Sequence, residues 1–381
     1  MNSAFVSVPL EYSPQQIIKL MNRKLYRHIP VLDETGKVQD LLLTDEIQRI
    51  IQRGSSSLFS PRQPLEHKPV LVIGGAGYIG SRLVQQLLDQ GYAVKVLDKL
   101  IFGTAAIENL QNNPLFTLIE GDTSHLETII TAVKDVDAVI HLAEIVGDPA
   151  CALDPEKTQQ MNYLSTTTIA NVCKHFQVNR FIYASSCSVY GAGNDTTLLT
   201  EQSPLSPVSL YARMKIESER TLLNLADGFF SPTILRLATV FGVSPRMRFD
   251  LVINTLTMKA ITENKITIFG GDQWRPNVHV SDVARAIIAV LEAPIAQVSG
   301  EIFNVGSPEN NFTINQLGEF VKLVVPTAEL ILEEKKIDQR NYRVDFSKIQ
   351  RVIGFKTQVN VQQGIQETAK ALLEGNYHDH T

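Results

Sequence analysis

Val70-Leu-Val-Ile-Gly74-Gly-Ala-Gly77-Tyr-Ile-Gly80 sets glycines 74, 77 and 80 three residues apart, directly after four consecutive apolar residues. A short, unbroken apolar run fits a strand buried on both faces, and a helix is expected to follow the last glycines. Glycines between such elements allow a tight turn, close approach of the backbone to a pyrophosphate, and close packing of helix on strand. The helix N-terminus adds the positive end of its dipole. Asp98 closes the next apolar run, 18 residues past Gly80. A carboxylate there accepts hydrogen bonds from ribose hydroxyls and repels a 2′-phosphate, which favours NAD over NADP, although the adjacent Lys99 weakens that exclusion.

Outward from this stretch, apolar runs at Val70–Ile73, Ala93–Leu97, Leu115–Glu120, Ala138–Leu142, Arg180–Ala184 and Thr233–Leu237 alternate with amphipathic helical segments. That alternation predicts an α/β fold, a Rossmann-type doubly wound parallel sheet over residues 67–240. Past residue 240 the pattern becomes irregular and rich in proline and glycine. A smaller C-terminal substrate lobe is expected over 241–381, with 276–305 returning to the sheet domain.

Gly54-Ser-Ser-Ser57, followed by Pro61, Pro64 and Pro69, reads as a linker. Residues 1–66 therefore form a separate small α+β appendage. In it, Ser13 caps a helix to about Lys24, His28–Leu32 and Val38–Leu43 are strands around an Asp33–Gly36 turn, and Glu46–Arg53 is a closing helix. So short a segment must pack on something or pair with a copy of itself.

With 381 residues, 44% hydrophobic and 20% charged, the chain is ordinary globular material, and disorder is excluded. The net charge of −5 lacks the basic excess that a nucleic-acid partner requires. Cys151, Cys173 and Cys187 have neither metal-ligand spacing nor an even disulfide framework, so reduced thiols and no metal are expected. No apolar run reaches membrane-spanning length and the N-terminus lacks a signal-peptide pattern, so no membrane association and a cytoplasmic location are expected.

Catalytic chemistry is suggested further along. Ser186 sits in Ala184-Ser-Ser-Cys-Ser-Val-Tyr-Gly191 at the end of an expected strand, and Tyr211 follows 25 residues later with Lys215 one helical turn beyond. An ammonium beside a phenol favours the phenolate and lowers its pKa from about 10, making a usable general base, while Ser186 relays a proton to the same substrate oxygen.

Taken together, residues 69–375 resemble an extended short-chain dehydrogenase/reductase of the NAD-dependent epimerase/dehydratase type. The matching segments are Gly74–Gly80, Asp98, Gly121-Asp122, His141–Pro149, Asn162, Ser185–Gly191, Tyr211/Lys215, Leu235–Gly242, Arg275–Ala284 and Phe303–Gly306. The resemblance implies a nucleoside-diphosphate sugar as substrate and NAD as cofactor, held by Gly74, Gly77, Tyr78, Ile79, Gly80, Asp98, Asp122, Leu142, Ala143, Tyr211 and Lys215. It implies Ser186, Tyr211 and Lys215 as the catalytic set and a homodimer as the assembly. Substrate contacts are expected from Ser186, Thr239, Arg248, Arg275 and Arg343, with Arg246 and Arg340 as further diphosphate candidates. In the family's 4,6-dehydratases an Asp-Glu pair follows the serine or threonine, and decarboxylating members keep a glutamate where Ser188 stands. Cys187 and Ser188 occupy those positions here, so a 4-epimerase is expected. A 4-ketosugar reductase or a silent NAD-sensing regulator is the alternative. Arg27–Ile47 separately resembles the second half of a CBS domain, which would make the appendage a nucleotide sensor rather than a packing element.

Overall fold

Strands buried on both faces must place alternate residues in two different cores. In the first strand, Val70 and Val72 enter one core while Leu71 and Ile73 enter another. The computed structural model describes residues 8–9, 12–24, 28–32, 38–43, 47, 68–192, 198–333 and 340–375. They divide into two units, residues 1–66 and 67–381.

In the larger unit seven parallel strands form one sheet. From one edge they run Phe116–Glu120, Val94–Asp98, Val70–Ile73, Ala138–His141, Arg180–Ser186, Ser231–Leu237 and Ile302–Val305. In chain order this is third, second, first, fourth, fifth, sixth, seventh, the doubly wound arrangement. The reversal between the first and fourth strands opens a crevice at their carboxyl ends. Helices Tyr78–Asp89 and Val280–Glu292 cover one face through Leu83, Val84, Leu87, Val283 and Ile287. Leu126–Val133 and Ser165–His175 cover the other through Ile129, Val133, Ile169 and Cys173. The second strand reaches Asp98 and the fifth reaches Ser186, so both residues end their strands at the crevice.

A third core gathers Phe241, Ile253, Leu256, Ile266, Ile268, Leu317, Val321, Val361 and Ile365. It is built by helices Val252–Thr262, Ile314–Val324 and Val361–Leu373 over a two-stranded parallel sheet, Lys265–Phe269 with Glu329–Glu333.

The small unit has helix Pro14–Lys24, begun by a reciprocal pair in which Gln16 N–H donates to Ser13 Oγ and Ser13 N–H donates to Gln16 Oε1. His28–Leu32 pairs antiparallel with Val38–Leu43 and parallel with Val8–Pro9. Ile17 and Met21, one helical turn apart, meet Val8, Ile29, Val31, Leu42 and Ile47 in its core. The turn expected at Asp33–Gly36, the linker and, apart from Ile47, the closing helix lie outside the described residues.

Beneath the fifth and sixth strands lies a buried ion pair, Arg236 on the sixth strand and Glu219 on helix Leu210–Leu225, each 2% exposed. Its Nη2–Oε2 distance is 2.7 Å, and Ser185 Oγ also donates to Glu219. Removing one partner leaves the other as an uncompensated buried charge. Glu219→Ala is therefore expected to lower unfolding stability by about 3–5 kcal/mol, read from urea unfolding.

Candidate active site

A cleft of about 350 Å³ opens along the carboxyl ends of the central strands. Its floor is the glycine turn. Gly74 has φ of +87°, and a Cβ there would lie 2.7 Å from the Ala143 backbone nitrogen. A Cβ on Gly80 would lie 2.0 Å from the Gly74 carbonyl oxygen, so the helix seats against the strand only with glycine at that position. Gly77 caps the twelve-residue helix Tyr78–Asp89, whose free N–H groups face the turn. Asp98 Oδ2 accepts from Ala76 N–H at 2.9 Å and Oδ1 from Leu100 N–H at 2.8 Å, which ties the second strand to the turn. Lys99 pairs with Asp122 Oδ2 at 2.6 Å. Burial works against the charged form of Asp122, but the Lys99 ammonium and hydrogen bonds from Ser124 outweigh it and bring the carboxyl down to about 2.

Gly74, Gly77, Tyr78, Ile79, Gly80, Asp98, Leu142, Ala143, Ser186, Tyr211, Lys215, Thr239 and Arg248 all line this one cleft. Asp122 stands just behind it, between the lining residues Gly121 and Thr123 and beside Lys99. The Tyr78 phenol is buried and donates to the Gly242 carbonyl at 2.7 Å, so this residue links the glycine turn to the segment after the sixth strand.

Ser186 Oγ accepts from Ser188 N–H at 3.1 Å and caps the short helical turn Cys187–Tyr190. Tyr211 lies in the first turn of helix Leu210–Leu225, where Ser209 Oγ accepts from Ala212 N–H at 3.2 Å. Lys215, one turn further, donates to the Ala184 carbonyl, and its Nζ stands 5.6 Å from the Tyr211 ring centre. Glu144 Oε2 lies 2.7 Å from that Nζ, and Tyr183 Oη donates to Glu144 Oε1 at 2.6 Å. Burial alone would lower the pKa of the Lys215 ammonium, but Glu144 and Tyr211 outweigh it and hold it above its ordinary value. The Tyr211 phenol is also raised, by burial first; the opposing pull of Lys215 does not make up the difference, and Glu144 adds to the rise. The depressed phenol expected from the sequence is corrected here: a buried ammonium shared with a carboxylate does less for the phenolate than a free one.

Arg275 and Arg343 lie outside the lining. Arg275 is buried, donating to the Trp274 carbonyl at 2.7 Å and to the Arg340 carbonyl, while the Arg343 guanidinium sits 4.6 Å from the Trp274 ring centre. Three other arginines line the cleft: Arg246, stacked 3.8 Å over the Phe102 ring, Arg248, paired with Asp250 at 2.6 Å, and Arg340, paired with Asp148 at 3.1 Å. Cys187 turns away, its Sγ donating to the Arg236 carbonyl at 3.3 Å, and burial pushes its thiol pKa up. Glu144 and Tyr183 have no place in the sequence-level site. The one signal for Glu144 is an acidic residue three positions past the end of the buried strand Ala138–His141.

Residues 70–306 match the family model described as "NAD dependent epimerase/dehydratase family". The chain belongs to this family. Among curated relatives, the UDP-glucuronic acid decarboxylase 1 of Arabidopsis thaliana is 28% identical over 307 residues, covering 78% of this chain and 68% of that one. The UDP-glucuronate 4-epimerase of Thermodesulfobacterium geofontis is 27% identical over 310 residues, covering 78% and 94%. A crystal structure of UDP-glucuronic acid 4-epimerase from Bacillus cereus, in complex with UDP-glucuronic acid and NAD, superposes with a TM-score of 0.73 at 26% identity, covering 80% of this chain and 99% of that one.

As a member of this family the protein is an NAD-dependent enzyme, and the residues present fit that cofactor. The glycine turn is a cradle that side chains would fill, a helix N-terminus opens on it, and Asp98 closes the second strand beside it. No helix among the described residues is long and apolar enough to cross a membrane. Lys99 is drawn onto Asp122 rather than onto Asp98. NAD is expected to bind at least about tenfold tighter than NADP, about 1.4 kcal/mol, and titration calorimetry with each dinucleotide measures the ratio.

Proposed function

We propose that the protein is a nucleoside-diphosphate-sugar 4-epimerase that works through a 4-keto intermediate with Tyr211 as general base. The observation that carries the reading is the meeting of Ser186, Tyr211 and Lys215 in the same cleft as the glycine turn, with no carboxylate at positions 187 and 188. In its ionised form, which the raised phenol makes a minor one near neutral pH, Tyr211 takes the proton from the sugar C4 hydroxyl, and Ser186 donates a hydrogen bond to the same oxygen as it becomes a carbonyl. NAD, which Gly74, Gly77, Gly80 and Asp98 would hold, would supply the hydride acceptor and donor for C4, with no net consumption of cofactor over a cycle. Lys215 keeps a positive charge beside the phenol, and Tyr211 gives its proton back to the alkoxide when the opposite face of C4 is reduced. Arg246, Arg248 and Arg340 supply the paired donors that suit a diphosphate.

The relatives named as decarboxylases share much of this framework, but Ser188 stands where the resemblance implies a glutamate in them, and a hydroxyl does not supply a carboxylate's charge. A 4-ketosugar reductase would share the triad and consume cofactor; the Lys99–Asp122 pair speaks against the 2′-phosphorylated form for which Lys99 was a candidate contact. A silent sensor has no need of a phenol placed against an ammonium.

Incubation with UDP-glucuronic acid or UDP-glucose and catalytic NAD is expected to give the C4 epimer by NMR, with no net change in reduced-nicotinamide absorbance. A stoichiometric change would mean net redox chemistry instead. Tyr211→Phe keeps the ring and removes the proton acceptor, so substrate and NAD still bind while turnover falls by about 10²–10⁴-fold.

A further inference from the structure

Ser186, Tyr211 and Lys215 leave one ionisable side chain of the inner cleft without a task. Glu144 has a side chain only 2% exposed, and a carboxylate taken that far from water persists only where it is paired and hydrogen-bonded. It has both partners, the Lys215 ammonium at 2.7 Å and the Tyr183 hydroxyl at 2.6 Å. The backbone next to it is clamped as well: Ile145 N–H donates to Asn162 Oδ1 and Asn162 Nδ2 donates to the Ile145 carbonyl, each at 2.8 Å. The ammonium it holds is the one that stands over the Tyr211 ring.

We propose that Glu144 is a positioning residue for the reaction, locking Lys215 Nζ against the end of the fifth strand and setting the pH range over which Tyr211 and Lys215 work as a pair. This rests on the reading of Tyr211 as the base. A negative charge raises the pKa of every acid within reach, and the Glu144 carboxylate, itself raised by burial against the pull of Lys215 and the Tyr183 hydrogen bond, acts in that direction on both the phenol and the ammonium. The other groups facing the pair are each accounted for. Arg248 is paired with Asp250, and Glu219 with Arg236. The Cys151 thiol is raised, by burial first, and stays neutral. His141 is brought down to about 3 by burial and by Lys215, so it carries no charge, and the Tyr183 phenol is raised well above its ordinary value by burial and Glu144. Among the described residues, Glu144 is therefore the charge that bears directly on the pair.

The test is Glu144→Gln, which keeps the shape and removes the charge. Both limbs of the pH–turnover profile are expected to move to lower pH by about one unit or more, a tenfold change in phenolate fraction on the acid limb. Loss of a purely structural contact would lower turnover at every pH and leave the limbs in place. The ultraviolet titration of Tyr211, taken as the difference from Tyr211→Phe in each background, needs no substrate and is expected to shift the same way. An acid shift of that titration without sugar epimerisation would sink the proposed activity while sustaining the Glu144 coupling. An unshifted Tyr211 titration in folded Glu144→Gln would overturn the coupling itself. Glu144→Asp, which retracts the charge by one methylene, should give a smaller shift of the same sign. If Glu144→Gln does not fold, wild-type limbs in Glu144→Asp would overturn the proposal.

Discussion

Backbone-to-backbone contact between the first strand and the helix after it is the constraint on which the cleft depends. No side chain fits where a Gly80 Cβ would fall, 2.0 Å from the Gly74 oxygen, so the helix can start only at Gly77, with its free N–H groups over the carboxyl end of the sheet. The same contact fixes Asp98, which reaches back to Ala76 rather than outward to solvent. Tyr78 follows, its phenol carried across to the Gly242 carbonyl. The position of Asp98 and the attachment of the later segments thus descend from one close approach.

A second level of organisation is electrostatic. The fifth strand carries Tyr183 at its middle and Ser186 at its end, while helix Leu210–Leu225 delivers Tyr211, Lys215 and Glu219 to its flank. Two buried ion pairs sit against this junction, Lys215 with Glu144 and Arg236 with Glu219. One faces the cleft and the other faces the sheet interior, so the helix is held by charge at Lys215 and again, one turn on, at Glu219. Such pairs add little net stability over apolar contacts, but they penalise any arrangement in which a partner is missing.

Much of this was legible in the sequence because its carriers have local signatures. Unbroken apolar runs gave the strands, glycine spacing gave the turn, and the four-residue interval gave the shared helix face of Tyr211 and Lys215. What stayed hidden depends on contacts between distant segments. Glu144 looks like a solvated acid after a strand until Lys215, 71 positions later, is folded onto it. Arg275 and Arg343 share their residue type with the arginines that do line the cleft, and only the fold shows that Trp274 and its neighbours take them up. The direction of the Tyr211 shift is hidden for the same reason, since burial is a property of the packed molecule and not of the Tyr-x-x-x-Lys interval.

Tyr78, Ser81 and Arg82, all in the first turns of the glycine-bound helix, reach residues 242–244: Tyr78 to the Gly242 carbonyl, Ser81 to Ser244 Oγ and Arg82 to the Val243 carbonyl. Gly242 itself has φ of +102°, a conformation that invites a swivel. The three attachments remove that freedom, because bending the chain there would break all of them at once. The passage out of the sixth strand is consequently a weld rather than a hinge.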